Sequence, residues 1–107
     1  MDFEDNVAKL LSDIGFEEVQ LMRRDNQKDH GVDIIASKKI NKRVRIFNIQ
    51  CRYHNKIIDS TAVQTVVAGT LFHKNGGSPV VITNNFFTAD AREYADKTGV
   101  ELIGRSE

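Results

Sequence analysis

Asp33 is the one charged residue in the otherwise apolar run VDIIA at 32–36. A carboxylate on such a strand must find hydrogen-bond donors, a cation or a metal, because burying it alone is prohibitively costly. Structural pairing with a turn or a lysine would satisfy it, and that reading stays open. Gln50 and Arg52 widen the choice. Two residues apart on one strand, they project to the same face and converge with Asp33 if the two strands are neighbours. Glu4, on the border of an N-terminal apolar stripe, can bring a second carboxylate to the same spot. Hard cations such as Mg²⁺ or Mn²⁺ take carboxylate, amide-carbonyl and water oxygens, so this set suits one.

The elements that must position these groups are legible in the spacing. Phe3, Val7, Leu10, Leu11 and Ile14 step at helical intervals and Gly15 stops them. Residues 16–22 alternate as a first strand, and 23–31 (RRDNQKDHG) read as a polar loop. VDIIA is the second strand and 38–42 a basic turn. Residues 43–53 alternate again, with Val44, Ile46, Asn48, Gln50 and Arg52 on one face and Phe47, Ile49 and Cys51 on the other. A second helix starts at Asp59 or Thr61, and Thr61 with Gln64 fits a capping box. Its stripe is Val63, Val66, Val67, Thr70 and Leu71, while Phe72, Ala68 and Thr65 form a second patch that predicts cover on two sides. PVVIT at 79–83 reads as a buried strand, Thr88 caps a third helix through Lys97, and Gly99 ends it before a last strand at 100–103. Strands joined through helices after a meander predict an α/β sandwich with a mixed sheet.

The chain has 107 residues, 40% hydrophobic and 28% charged, which predicts one soluble domain over 1–107 and excludes wholesale disorder. No apolar run approaches the ~20 residues of a bilayer span, and the acidic start MDFEDNVAKL lacks the basic end of a signal peptide. A lone cysteine, Cys51, makes neither an intrachain disulfide nor a cysteine zinc site. A cytoplasmic location without membrane contact is expected. Fifteen basic and fifteen acidic residues cancel, but they are segregated. Nine acids fall in residues 1–33, whereas 34–58 holds no acid but contains Lys38, Lys39, Lys42, Arg43, Arg45, Arg52 and Lys56. A segregated basic block is a footprint for phosphate contacts, or a solvated hairpin with lysines guarding its edge.

The segments DHGVDIIA, IQCRY, VVITNNFFTADAREYA and GVELIG, in that order, resemble the Mrr-like type IV restriction endonuclease domain. That domain belongs to the wider restriction-endonuclease-like nuclease superfamily, and the likeness runs from Phe3 to about Gly104. It implies a three-layer α/β sandwich with a mixed sheet and the order αβββαβαβ. It makes Asp33 the central metal-binding carboxylate, Gln50 the second signature position, and Glu4 the acidic residue of the first helix. The Cys51 backbone carbonyl becomes a further ligand for Mg²⁺ or Mn²⁺, and Gln64 a polar residue presented by the next helix. The chain departs from the pattern at Arg52, where lysine is expected, and at His30, where glycine is usual. Arginine keeps its proton, so a general-base role is lost, yet its fork can hold a phosphate and stabilise a charged transition state. His30 is a candidate accessory proton carrier, or a loop residue bonded to backbone.

The resemblance thus implies a metal-dependent endodeoxyribonuclease acting on double-stranded DNA. Lys38, Lys39, Lys42 and Arg43 would lie along the duplex backbone, and Lys56 would reach toward the place of the missing lysine. The alternatives are a catalytically degenerate module that binds DNA or protein, favoured by Arg52, and a junction-resolving enzyme acting as a dimer. In that last case Phe72 with Ala68, and Phe86 with Phe87, are candidate homodimer contacts, the core being their other assignment. Type IV enzymes usually read modified DNA through a separate domain, so either a separate recognition subunit supplies that here or there is little specificity to supply.

Overall fold

The computed structural model describes residues 2–23 and 30–105. Eight elements follow one another: α1 (Phe3–Asp13), β1 (Glu18–Leu21), β2 (Ile34–Ile40), β3 (Arg43–Arg52), α2 (Ser60–His73), β4 (Ser78–Thr83), α3 (Ala89–Thr98) and β5 (Glu101–Ile103). The sheet keeps chain order, β1-β2-β3-β4-β5. The β1, β2 and β3 strands are antiparallel neighbours, and β3, β4 and β5 are parallel. This is the expected mixed sheet in the order αβββαβαβ. Parallel pairing needs crossovers, which α2 and α3 supply.

One face of the sheet buries Ile34, Ala36, Ile49, Cys51 and Val80 against Val7 and Leu11 of α1. On the other, Val81 meets Ala62, Val63 and Val66 of α2 and Ala91 and Ala95 of α3. Three layers result. The alternation of β3 decides the split, since Ile49 and Cys51 go to the α1 face while Asn48 reaches Thr70 of α2 (Nδ2 to Oγ1, 3.4 Å). Asn48 is fully buried and also exchanges hydrogen bonds with Asn75, at 3.0 and 2.9 Å, tying the end of α2 to the middle of the sheet.

Several boundaries differ from the sequence reading. The second strand begins after Asp33 and extends to Ile40, so Lys38 and Lys39 lie on β2 and the turn shrinks to Asn41 and Lys42. Both turn residues have positive φ (52° and 69°), the geometry of a two-residue type I′ hairpin that follows the sheet twist. The expected Thr61–Gln64 capping box is corrected. Asp59 is the N-cap and accepts from Thr61 N at 2.9 Å, while Gln64 Nε2 donates to Ser60 Oγ at 3.4 Å. The second helix is also not covered on two sides by the described residues, for Leu71 is 70% and Phe72 57% exposed. Phe87, offered as a dimer contact, is a core residue packed on α3, and Phe86 is half-buried. The expected loop 23–31 lies outside the described residues at 24–29.

Candidate active site

The hairpin register sets Asp33 beside β3. Its N–H donates to Ile49 O and its carbonyl accepts from Met22 N, both at 2.8 Å, so its backbone is held from two strands. Past this point β2 offers no backbone partner to Cys51. The Asp33 carboxylate takes that place, with Oδ2 accepting from Cys51 N at 2.8 Å. Asp33 is 5% exposed.

The backbone of the same residue gathers the other two groups. Gln50 Nε2 and Arg52 Nη1 approach the Cys51 carbonyl oxygen at 3.5 and 3.4 Å, at the long limit of hydrogen bonding. Asp33, Gln50 and Arg52 therefore meet around Cys51, the carboxylate at its N–H and the other two at its C=O. Gln50 is 3% exposed, and its Oε1 has no hydrogen-bond partner among the described residues. Leaving such an oxygen unpaired costs about 1–3 kcal/mol. A cation would satisfy it. The Asp33 carboxylate, Gln50 Oε1 and the Cys51 carbonyl are all hard oxygen donors of the kind Mg²⁺ and Mn²⁺ take, so these residues fit such an ion. Among the described residues no three His, Cys, Asp or Glu side chains group into a metal site. A cation here would combine few carboxylates with neutral oxygens and water.

Cys51 reports the local field. Burial first, then the charges of Asp33 and Glu4, push its thiol up to about 12, with Arg52 acting the other way. Glu4, half-buried on α1, therefore stands within electrostatic reach of Cys51 on the face opposite α2. The thiol itself stays protonated and is no nucleophile.

Beyond Arg52 the surface opens into a shallow cleft of about 330 Å³, lined by Arg52, His54, Lys56, Asp59 and Thr61 among others. The Asp59 carboxyl is held below its ordinary range, mainly by the Thr61 N–H it caps and last by Arg52. Lys56 is exposed on the lining of this cleft. Gln64 is exposed and bonded to Ser60. The loop carrying Lys56 is pinned by two residues that the sequence reading missed. Asn84 Oδ1 accepts from His54 N at 2.9 Å, and Asn85 Nδ2 donates to His54 O at 3.2 Å. The available signal was the Asn-Asn pair following an apolar strand, whose side chains can bond nearby backbone.

The basic hairpin lies elsewhere. Arg43 is seven residues along β3 from Gln50, about 23 Å at strand rise. Lys38 Nζ sits 4.7 Å from the centroid of the Phe16 ring, and Lys39 N donates to Glu17 at 3.2 Å. Lys38, Lys39, Lys42 and Arg43 thus stand at the far end of the sheet from Asp33. His30 is exposed with a left-handed φ of 55°, its ring stacked on Phe72.

Comparison with known proteins agrees with this architecture. A curated, uncharacterized protein of Archaeoglobus fulgidus is 26% identical over an aligned length of 105, with 94% of this chain and 58% of that protein covered. Among solved structures, the protein of unknown function AF1548 superposes with a TM-score of 0.74 at 24% identity, covering 94% of this chain and 55% of the other. The MspJI restriction endonuclease in complex with a 27-mer oligonucleotide gives 0.60 at 18% identity, over 94% of this chain and 24% of that one. The chain thus spans a little over half the length of the first two relatives. The family model described as restriction endonuclease, Mrr_cat, matches residues 1–107. The chain belongs to the Mrr-type restriction endonuclease family.

Proposed function

We propose that this chain is a divalent-metal-dependent endonuclease domain that hydrolyses phosphodiester bonds in DNA. The observation that carries the reading is the convergence of Asp33, Gln50 and Arg52 on the backbone of Cys51, with Gln50 Oε1 buried and unpaired among the described residues. Asp33, Gln50 Oε1 and the Cys51 carbonyl would hold Mg²⁺ or Mn²⁺, with Glu4 near enough to orient a water on the α1 side. A divalent ion bound there supplies Lewis acidity and a lowered pKa for coordinated water. Arg52, half-buried at the head of the cleft, binds the non-bridging phosphate oxygens and offsets charge developing on them. Lys56 adds a second positive charge on the same cleft. The hairpin lysines Lys38 and Lys39, five and six residues along β2 from Asp33 or about 17–20 Å at strand rise, contact a different part of the duplex backbone and contribute salt-dependent, sequence-independent affinity.

MspJI is held in complex with a 27-mer oligonucleotide, which supports a nucleic acid as the partner. The test is nicking of supercoiled plasmid with and without Mn²⁺. Asp33→Ala should abolish metal-dependent nicking, and equal activity of parent and variant overturns the assignment. A second reading, a domain that binds DNA without cutting it, is favoured by one observation. Arg52 Nη1 already donates to the Cys51 carbonyl that a metal would use. Arg52→Lys separates the two. A gain in nicking means arginine attenuates an intact site, while inactivity of both with undiminished duplex binding supports the non-cutting module.

A further inference from the structure

The exposed face of α2 carries a feature the cleavage chemistry does not use. His30 and Phe72 stack with ring centroids 3.8 Å apart and planes 16° from parallel, although Phe72 is 57% exposed and His30 is exposed too. The pair borders a shallow hollow of about 420 Å³ lined by His30, Gly31, Thr65, Ala68 and Phe72. The stack is anchored through its backbone. A Cβ on Gly69 would lie 2.3 Å from His30 O, and one on Gly31 would lie 2.4 Å from Thr65 O. The chain before Asp33 is thus wedged onto α2. The Cα of His30, three residues from Asp33, lies within about 11 Å of that of Asp33.

One row of α2 side chains leads from the cleft at Arg52 to the hollow. Thr61 lines that cleft, Thr65 Oγ1 donates to Thr61 O at 2.8 Å, and Thr65, Ala68 and Phe72 line the hollow. Spacings of four, three and four residues put these side chains in one row along the helix. Eleven residues from Thr61 to Phe72 cover about 16 Å, the length of about five stacked bases at 3.4 Å each. From Ser60 to His73 the helix holds no Asp, Glu, Lys or Arg, so the helix itself sets no carboxylate against a phosphate chain beyond its Asp59 cap. A flat, pre-stacked aromatic face at its end suits a planar π system, and every nucleobase has one. Bases inside a duplex present no free face. A second copy of the chain is the poorer occupant. A stable interface buries about 800 Å² on each side, whereas this row is one side chain wide and half polar.

We infer that the His30–Phe72 stack is a docking platform for an unpaired nucleobase, within about five nucleotides of the phosphate held at Arg52. The site then favours DNA with a flap, fork or frayed end over blunt duplex. The inference rests on the proposed nuclease reading for its substrate, but it is read out by binding without metal. The experiment titrates the protein in EDTA into duplexes with a single-stranded flap carrying 2-aminopurine at successive unpaired positions. One position, within about five of the junction, should change its emission on binding. Phe72→Ala should remove that change and weaken flap binding about tenfold, leave blunt-duplex affinity unaltered, and be rescued by Phe72→Trp. Asp33→Ala should cut nothing yet keep the signal, which distinguishes failure of catalysis from failure of the platform. Equal flap-to-blunt preference in parent and Phe72→Ala overturns the inference. So does a concentration-dependent dimer in sedimentation that Phe72→Ala dissolves.

Discussion

Gly69→Ala tests how Asp33 is held in place. Inside a helix this exchange normally stabilises by about 1 kcal/mol, since alanine loses less backbone freedom. Here the opposite is expected. The added Cβ would stand 2.3 Å from His30 O, 2.8 Å from Val32 Cγ2 and 2.9 Å from Gly31 C. Two of these three neighbours are backbone atoms, so the strain cannot be relieved by a rotamer change. The chain leading into β2 must move outward by about an ångström, at an overpacking cost near the upper end of about 1–3 kcal/mol. Subtracting the helix gain leaves a net loss of about 2 kcal/mol. For a domain of this size that lowers Tm by roughly 8–16 °C, and it lowers the urea midpoint with an unchanged slope. The shift also drags Asp33 Oδ2 from Cys51 N, so metal-dependent nicking should fall further than the unfolded fraction explains. A midpoint equal to or above the parent's would refute the wedge, and with it the account of how Asp33 is positioned.

Other outcomes follow from the same geometry. Gly31→Ala should be worse than Gly69→Ala, because a Cβ 2.4 Å from Thr65 O comes with a φ of +82°; thermal unfolding ranks the two. Asn48→Ala strands Asn75 Nδ2 and opens a void in the sheet, costing about 2–4 kcal/mol in denaturant titration. Cys51, raised to about 12 from an ordinary 9.0, should resist thiol reagents in the native state and react on unfolding. Its folded value exceeds the unfolded one, so that contribution to stability is present below pH 9 and lost as pH rises toward 12. Asp59 has the opposite sign. Held below its ordinary value of 3.8, it stabilises above that pH and ceases to as acid protonates the folded form. Asp59→Asn, which keeps a capping group, should therefore flatten the acid limb of Tm against pH. Charge reversal at Lys38 and Lys39 should lower the salt slope of duplex binding, measured by anisotropy, and an unchanged slope would remove them from the interface.

Local chemistry made much of this molecule legible. The period-2 pattern of 43–53 assigned Asn48, Gln50 and Arg52 to one face and Ile49 and Cys51 to the other, because side chains on a pleated strand can only alternate. Thr88 caps α3 by accepting from Ala91 N at 3.0 Å, and Gly99 ends it with φ 75°, since these positions depend on residues three or four apart. The cap of α2 stayed open between two residues for the same local reason in reverse, and only the Thr61–Gln64 box failed. Asp59 and Thr61 both qualify, and the choice turned on where the chain from the cleft enters the helix.

What the amino-acid order alone determined was the set of elements, the faces of β3 and the polar groups available to a site. Only the tertiary structure decided that Asp33 answers the Cys51 N–H eighteen residues away, that the basic hairpin stands a sheet's length from that carboxylate, and that two glycines wedge the chain before Asp33 onto α2. Periodicity reports which face a side chain takes, whereas register and close backbone approach depend on groups distant in sequence, which no local spacing encodes.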